Sequence, residues 1–263
     1  MDRLVTTSRE RFWTPDAWHR DEWLKPLAAA LPPGSRVLDA GAGSSKYRQR
    51  FAHCRYETQD FCQYEGKLVK YLQPIDYVCD VAHIPLPDAT FDAILCTEVL
   101  EHVVEPVAVV QEFSRLLKPG GQLWLTTPHG TYVHMEPYHY NCGLTEYWYR
   151  HWLPKFGVTL QSLAYQGGPG RACSTYCQAF YDAWREWEHT LPPLKRSLSL
   201  ASRMACKPFV HFVLPWLATR FDRHLSPKRV NSGLMVVALR DAPVAARSAA
   251  LSDPVSDQES GKR

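Results

Sequence analysis

An α/β fold on an open, doubly wound, mostly parallel sheet is what this sequence predicts, and three observations carry the prediction. Short apolar runs alternate with helical stretches, a glycine-rich turn follows the first of these runs, and a Lys-Pro-Gly-Gly break separates a helix from the next strand. Alternation of this kind implies right-handed crossovers and strands lying side by side in parallel.

The elements follow in order. Residues 10–30, with "RFWTPDAWHRDEWLKPLAAA", mix tryptophans with charges and read as a helix ended by "LPPG", so that 1–33 form an N-terminal helical cap over an edge or opening of the core. "RVLDA", "RYETQDF", "IDYVCD", "FDAILCT" and "GQLWLTT" are the expected strands, with a helix expected after the first of them. In "LLKPGGQLWLTT" a helix ends on Lys118, is broken by Pro119-Gly120-Gly121, and gives way to a strand. "VTLQSLAY" at 158–165 and "GLMVVALRD" at 233–241 complete the sheet, giving a main domain over 34–240. The stretch between them, 166–231, is too long for an ordinary connection and must carry structure of its own, a helical insertion. Residues 241–263 are poor in large apolar side chains and read as a disordered tail.

A formal net charge of +3 on 263 residues does not argue for nucleic acid, and none is expected as a partner. Eight cysteines without a repeated spacing, and a start, "MDRLVTTSRERFW", without an apolar run, point to a reducing cytoplasm. Cys173 and Cys177 are four apart but have no second pair at zinc-ligand spacing, so no metal is expected there.

The turn "DAGAGSSKY" lies at the carboxyl end of the first strand, where open parallel sheets bind ligands. Gly41 and Gly43 let the backbone turn tightly and approach a ligand closely. Two ligands compete for this turn, a dinucleotide and a nucleoside-type cofactor such as S-adenosylmethionine. A dinucleotide wants a third glycine where Lys46 stands, and Asp39 places a carboxylate that would repel a pyrophosphate but attract a cationic amino-acid moiety. Charge favours the sulfonium. Asp60, about twenty residues beyond the turn, can accept from ribose hydroxyls, and Asp80 is placed for an adenine amino group.

These residues resemble the class I S-adenosylmethionine-dependent methyltransferases, in particular the broad group that includes ubiquinone-pathway and small-metabolite enzymes. "VLDAGAGSS" looks like the first motif, "DVAHIPLPDATFDAILCTEVLEHVVEP" like the adenine-binding and fourth-strand segment, and "LLKPGGQLWLTTP" like the fifth-strand segment; together they span about 34–165. The resemblance implies a Rossmann-like, seven-stranded sheet with a reversed last strand. It also implies cofactor contacts at Asp39, Gly41, Gly43, Asp60, Asp80 and Val81, with Glu98 near the methionine end. Ser44 and Ser45 depart from the commoner Thr-Gly after the glycine pair.

Methyl transfer asks the protein mainly to align nucleophile, methyl and sulfur, and a base helps when the acceptor is a hydroxyl or a protonated amine. Histidine is the natural base near neutral pH, and His102, His129, His134 and His139 fall after the fourth and fifth strands; His129 and His102, nearest the strand ends, are the expected catalytic pair. Glu98, Glu101 and His102 in "EVLEH" would share one face of a helix. Metal-using O-methyltransferases of the ubiquinone pathway and of small RNA ends carry such a face, as do metal-free relatives; a cofactor-site or helix-start role is expected and no metal.

Residues 191–230 interleave apolar clusters with eight cations and one acid, Asp222. Their apolar run is too short to span a bilayer and contains Pro215. A lid packed on the core is the first expectation and peripheral attachment to the inner face of a membrane the second. The sequence thus points to methylation, most simply at oxygen, of a small-molecule or lipid-linked acceptor such as a quinone precursor or a glycan. The alternatives are a non-catalytic cofactor-binding module and a nicotinamide-dependent oxidoreductase.

Overall fold

The computed structural model describes residues 15–66 and 68–242. The tail expected at 241–263 and the first part of the N-terminal cap therefore lie almost wholly outside the described residues. Seven strands form one sheet: β1 (Arg36–Ala40), β2 (Arg55–Asp60), β3 (Tyr77–Val78), β4 (Phe91–Thr97), β5 (Leu117–Pro128), β6 (Val158–Tyr165) and β7 (Gly233–Arg240). Their order is β3-β2-β1-β4-β5-β7-β6. β1 to β5 pair in parallel, while β7 runs antiparallel to both β5 and β6. This is the Rossmann-like, doubly wound sheet with a reversed last strand. The winding reverses between β1 and β4, which opens a crevice at their carboxyl ends.

Buried strands read as continuous apolar runs because both faces of the sheet are covered. Helix α1 (Pro15–Ala29) lays Leu24 and Ala28 on one face, against Val37, Leu95, Phe51 and Trp124. Helices α2 (Pro106–Leu116) and α3 (Glu146–Trp152) cover the other face, with Val109, Val110, Phe113 and Tyr149 against Leu38, Ile94, Leu125 and Val236.

Two expected helices are absent. After β1 the chain makes turns and then only a four-residue 3-10 segment, Arg48–Phe51. Ser45 stands at φ 54, in the left-handed region, which breaks a right-handed helix before it begins. After β4, Glu98 stands at φ 56, and the only helical residues before α2 are the 3-10 turn Leu100–His102. The third expected strand shrinks to two residues, Tyr77–Val78, because it is the sheet edge and pairs only with the end of β2.

The insertion between β6 and β7 is helical: α4 (Pro169–Glu188), α5 (Pro193–Pro208), a π-helical turn Phe209–Val213, and α6 (Leu214–Phe221). Asp222 caps α4, its carboxylate accepting from the Gly168, Gly170 and Arg171 N–H groups at 3.0, 2.7 and 3.0 Å. Arg203 is the only buried side chain of α5, held by Glu188 at 2.8 Å and by the Tyr181 hydroxyl at 3.1 Å. The structure therefore corrects the lid expectation in one respect: the apolar side chains of α5 do not pack on the core. Leu194 and Leu198 are 76% and 66% exposed, and Phe209 and Trp216 beyond them are 52% and 58% exposed.

Phe51 replaces the missing helix as the plug under the glycine turn; it is fully buried and stacks on Tyr56 and Trp124 at centroid distances of 5.4 and 6.1 Å. Phe51→Ala is expected to cost about 3–5 kcal/mol, read as a lowered midpoint in urea unfolding. A loss below about 1 kcal/mol would mean that this plug does not hold the turn.

Candidate active site

The glycine turn is fixed by the strand beside it. Gly43 N–H donates to the Asp60 carboxylate at 2.9 Å, Ala42 N–H to the Gln59 carbonyl at 2.9 Å, and Gly41 N–H to the Gln59 side chain at 3.2 Å. Gly41 has φ +70, and a Cβ there would lie 2.3 Å from Val99 Cγ2, across the switch point, so any other residue would be strained in its backbone and would have to displace the Val99 side chain. Asp60 also accepts from Cys62 N–H and the Tyr71 hydroxyl, both at 3.0 Å. Three donors leave about one of a carboxylate's four acceptor positions open, and displacing the Tyr71 hydroxyl frees a second, which matches a pair of ribose hydroxyls.

Asp80 lies exposed just beyond β3 with one carboxylate oxygen accepting from Ala82 N–H at 2.9 Å, and Val81 beside it is buried. An exposed acid and an apolar wall suit an adenine ring. Two acids at neighbouring strand ends and an apolar wall at Val81 are together acceptors and a surface that fit S-adenosylmethionine, while the Gly41 and Gly43 N–H groups are spent on Gln59 and Asp60 and serve to place them. The same turn suits a dinucleotide less than the sequence implied. A pyrophosphate is normally held on the N-terminus of the helix after the glycines, and here that helix is missing.

Asp39 is not at the surface of the crevice. Only 2% exposed, it accepts from the Tyr56 hydroxyl of β2. Burial pushes its carboxyl up to about 6, against the pull of Tyr56 and Lys46. The Tyr56 hydroxyl is held protonated by its own burial and then by the Asp39 charge. Asp39 thus has almost no surface open to the crevice, and one of its carboxylate oxygens is taken by the Tyr56 hydroxyl.

Glu98 ties three elements together. Its carboxylate accepts from Thr126 of β5 at 2.8 Å and from Gln166 beyond β6 at 3.2 Å, and pairs with Arg20 of α1 at 3.2 Å. Arg20 also donates to Gln166 at 3.2 Å. Sequence reasoning missed Arg20 and Gln166, since nothing local marks either. The shared helical face of Glu98, Glu101 and His102 does not form: Glu98 is spent in this network, and Glu101 is 1% exposed with no hydrogen-bond partner for its carboxylate among the described residues. Burial, then the neighbouring Glu98 charge, raises the Glu101 carboxyl well above its usual range.

The loop 129–144 crosses the carboxyl ends of β4 and β5. It is pinned there by Tyr140 N–H and Asn141 N–H on the Glu101 carbonyl at 2.9 and 3.3 Å, and by the Asn141 side chain on the Leu100 carbonyl at 3.0 Å. His129 starts the loop, its N–H on the Ser232 carbonyl at 3.1 Å and its Nδ1 buried without a partner among the described residues. His102 Nδ1 faces the Tyr138 carbonyl at 2.5 Å. Burial, partly countered by that bond, pushes its imidazole down to about 4, so His102 is neutral at pH 7 and a weak base. His102, His134 and His139 come together, with ring centroids 4.7–5.6 Å apart, and His129 is not among them.

Fold and site together define the class I methyltransferase architecture. Residues 38–125 match the family described as "Methyltransferase domain". A ubiquinone biosynthesis O-methyltransferase of Xanthomonas campestris pv. campestris is 32% identical over 136 residues, 43% of this chain and 56% of the relative. One of Chromobacterium violaceum is 34% identical over 134 residues, 42% and 56% of the two chains. The chain thus spans about half the length of the curated relatives it matches. Among solved structures, the [4+2]-cyclase SpnF aligns with a TM-score of 0.50 at 18% identity over 84% of this chain and 81% of its own. A putative sarcosine dimethylglycine methyltransferase from Galdieria sulphuraria aligns at 0.51 and 14%, over 87% and 86%. These two share the fold with this chain. Over residues 38–125 the chain is thus similar to methyltransferase domains, on a fold it shares with the two solved structures.

Asp39 supplies a quantitative check. A carboxyl raised from 3.8 to about 6 binds protons more tightly folded than unfolded, so its contribution to stability falls as pH rises through that window. The stability of Asp39→Asn relative to the natural protein is therefore expected to grow by about 2 kcal/mol between pH 4 and pH 7, in urea unfolding at the two pH values. A difference that stays flat, or falls, would show that Asp39 is not a desolvated acid.

Proposed function

We propose that the chain moves the methyl group of S-adenosylmethionine to a hydroxyl oxygen of a small or lipid-linked acceptor. The observation that carries this is the placing of the histidine-bearing loop 129–144 over the carboxyl ends of β4 and β5, beside the turn that Asp60 holds. When bound, the cofactor supplies a methyl on a positively charged sulfur; the O–C bond forms as the C–S bond breaks, and the electron pair stays with sulfur. Asp60 and Asp80 hold the nucleoside end, which fixes the direction of attack, and proximity of this sort is worth about 7–11 kcal/mol. Asp39, ionised above about pH 6, favours the cation through its field.

His129 takes the proton of the acceptor hydroxyl. His102 is the poorer base of the expected pair, since burial keeps its imidazole neutral and weakly basic. Names of relatives containing "O-methyltransferase" support oxygen as the acceptor atom. With tritium- or carbon-labelled S-adenosylmethionine and a cell extract, label is expected to enter one acceptor fraction, and to fall about 100-fold or more in rate with His129→Ala. Unchanged transfer by that variant would remove His129 from the chemistry, and no transfer by the natural protein would leave a cofactor-binding module.

The insertion supports a membrane-borne acceptor. Among the described residues no helix is long and apolar enough to cross a membrane. Yet α5, the π-helical turn and α6 expose Leu198, Phe209 and Trp216 next to Lys195, Arg196, Lys207 and Arg220, an apolar surface rimmed by cations that suits an anionic bilayer. Arg203, locked to Glu188, is excluded from that role. The protein is expected to float with anionic vesicles and not with zwitterionic ones. The Leu198→Glu, Phe209→Glu, Trp216→Glu protein is expected to stay in the soluble fraction while still binding S-adenosylhomocysteine. Equal flotation of the two proteins would contradict membrane contact through this surface.

A further inference from the structure

Three imidazoles meet where loop 129–144 folds over the 3-10 turn after β4. One ring nitrogen each from His102, His134 and His139 lies within 4.8 Å of the other two. Among the described residues neither ring nitrogen of His139 has a hydrogen-bond partner, though both are buried, an arrangement that leaves two polar atoms unpaid for in a folded protein. The other two rings are already oriented. His102 Nδ1 lies 2.5 Å from the Tyr138 carbonyl and His134 Nδ1 2.9 Å from the Tyr132 carbonyl. A carbonyl can only accept, so each Nδ1 carries the hydrogen and each Nε2 is left with its lone pair. This pattern, one nitrogen donating to a carbonyl and the other free, is how proteins fix a histidine to ligate a metal.

We propose that His102, His134 and His139 form a binding site for a divalent first-row transition metal of the zinc class. The inference deepens the methyl-transfer reading, since such an ion would sit on the acceptor side of the crevice, but it stands on the three imidazoles alone. Nitrogen donors select this class over magnesium or calcium, which take oxygen ligands. Zinc–nitrogen bonds of about 2.0–2.1 Å in a tetrahedron put ligand atoms about 3.3 Å apart, so the three rings need to close by about 1 Å or a little more. The loop that carries two of them is held to the third by backbone bonds at Glu101 and Leu100, so the closure is a side-chain movement. The Glu101 carboxylate, 3.7 Å from His102 Nε2 and otherwise without a partner, adds a group whose negative form a cation would favour. Three histidines leave the fourth tetrahedral position open, and there an acceptor oxygen would be polarised as a Lewis acid polarises it.

The test reads the metal and not the reaction. Full-length protein without a histidine tag, stripped with chelator, is titrated with zinc by calorimetry, and with cobalt for its visible d–d absorption. One equivalent is expected to bind, with magnesium giving no signal. His134→Ala and, separately, His139→Gln are expected to weaken zinc at least about tenfold. His151→Ala, on the exposed face of α3, is expected to leave it unchanged. Retained binding of S-adenosylhomocysteine by the two loop variants shows that they are folded. Failure of zinc to bind at one equivalent, or the same affinity in His139→Gln as in the natural protein, would overturn the site. Methyl transfer could fail with this site intact, or proceed with it absent, so the two readings fall separately.

Discussion

The hydrogen bond from Gly43 N–H to the Asp60 carboxylate is the constraint on which the crevice depends. It joins the turn after β1 to the end of β2, so that the glycine backbone and the acid cannot move independently. The close approach of Gly41 to Val99 then fixes the same turn against β4's end. Between these two contacts the chain has one path. With no helix after the turn to lean on, the positioning that a helix N-terminus would ordinarily provide falls to side chains, Asp60 and Gln59 above all.

A second layer of control comes from chain segments far apart in sequence. Glu98 gathers Arg20, Thr126 and Gln166, so α1, β5 and the start of the insertion are tied at one point beside the crevice. The left-handed backbone at Glu98 costs on the order of 1–3 kcal/mol, and it persists because these partners hold the side chain where it is. On the opposite side, loop 129–144 is tied to the Leu100–His102 turn by its own backbone. The two ties leave the carboxyl ends of the strands between them, where a nucleoside and an acceptor can meet.

Much of the frame was legible from residue patterns. "RVLDA" and "FDAILCT" are strands over the residues expected, because buried parallel strands are short apolar runs with turn residues at their ends; "VTLQSLAY", an antiparallel edge strand, is one over the residues expected through its mix of apolar and polar positions. The reversed strand at 233–240 was implied by resemblance and is observed. The helices after β1 and β4 were misread for one physical reason: single residues, Ser45 and Glu98, adopt left-handed backbone that their side chains do not announce. Asp39 was legible as an acid before a glycine turn, but not as a buried one, since the direction of a strand side chain depends on which face α1 covers. The density of histidines in "PHGTYVHMEPYHY" was visible; that two of them would meet His102, about thirty residues earlier, depends on how the loop folds back.

The most direct measurement of the central claim is calorimetric titration of S-adenosylhomocysteine and of NAD into the natural protein and into Asp60→Asn. The account predicts that the homocysteine compound binds at one site in the natural protein, at least about tenfold more weakly in Asp60→Asn, and that NAD does not bind either. Equal affinity of the two proteins for the homocysteine compound, or tighter binding of NAD, would contradict the assignment of the crevice.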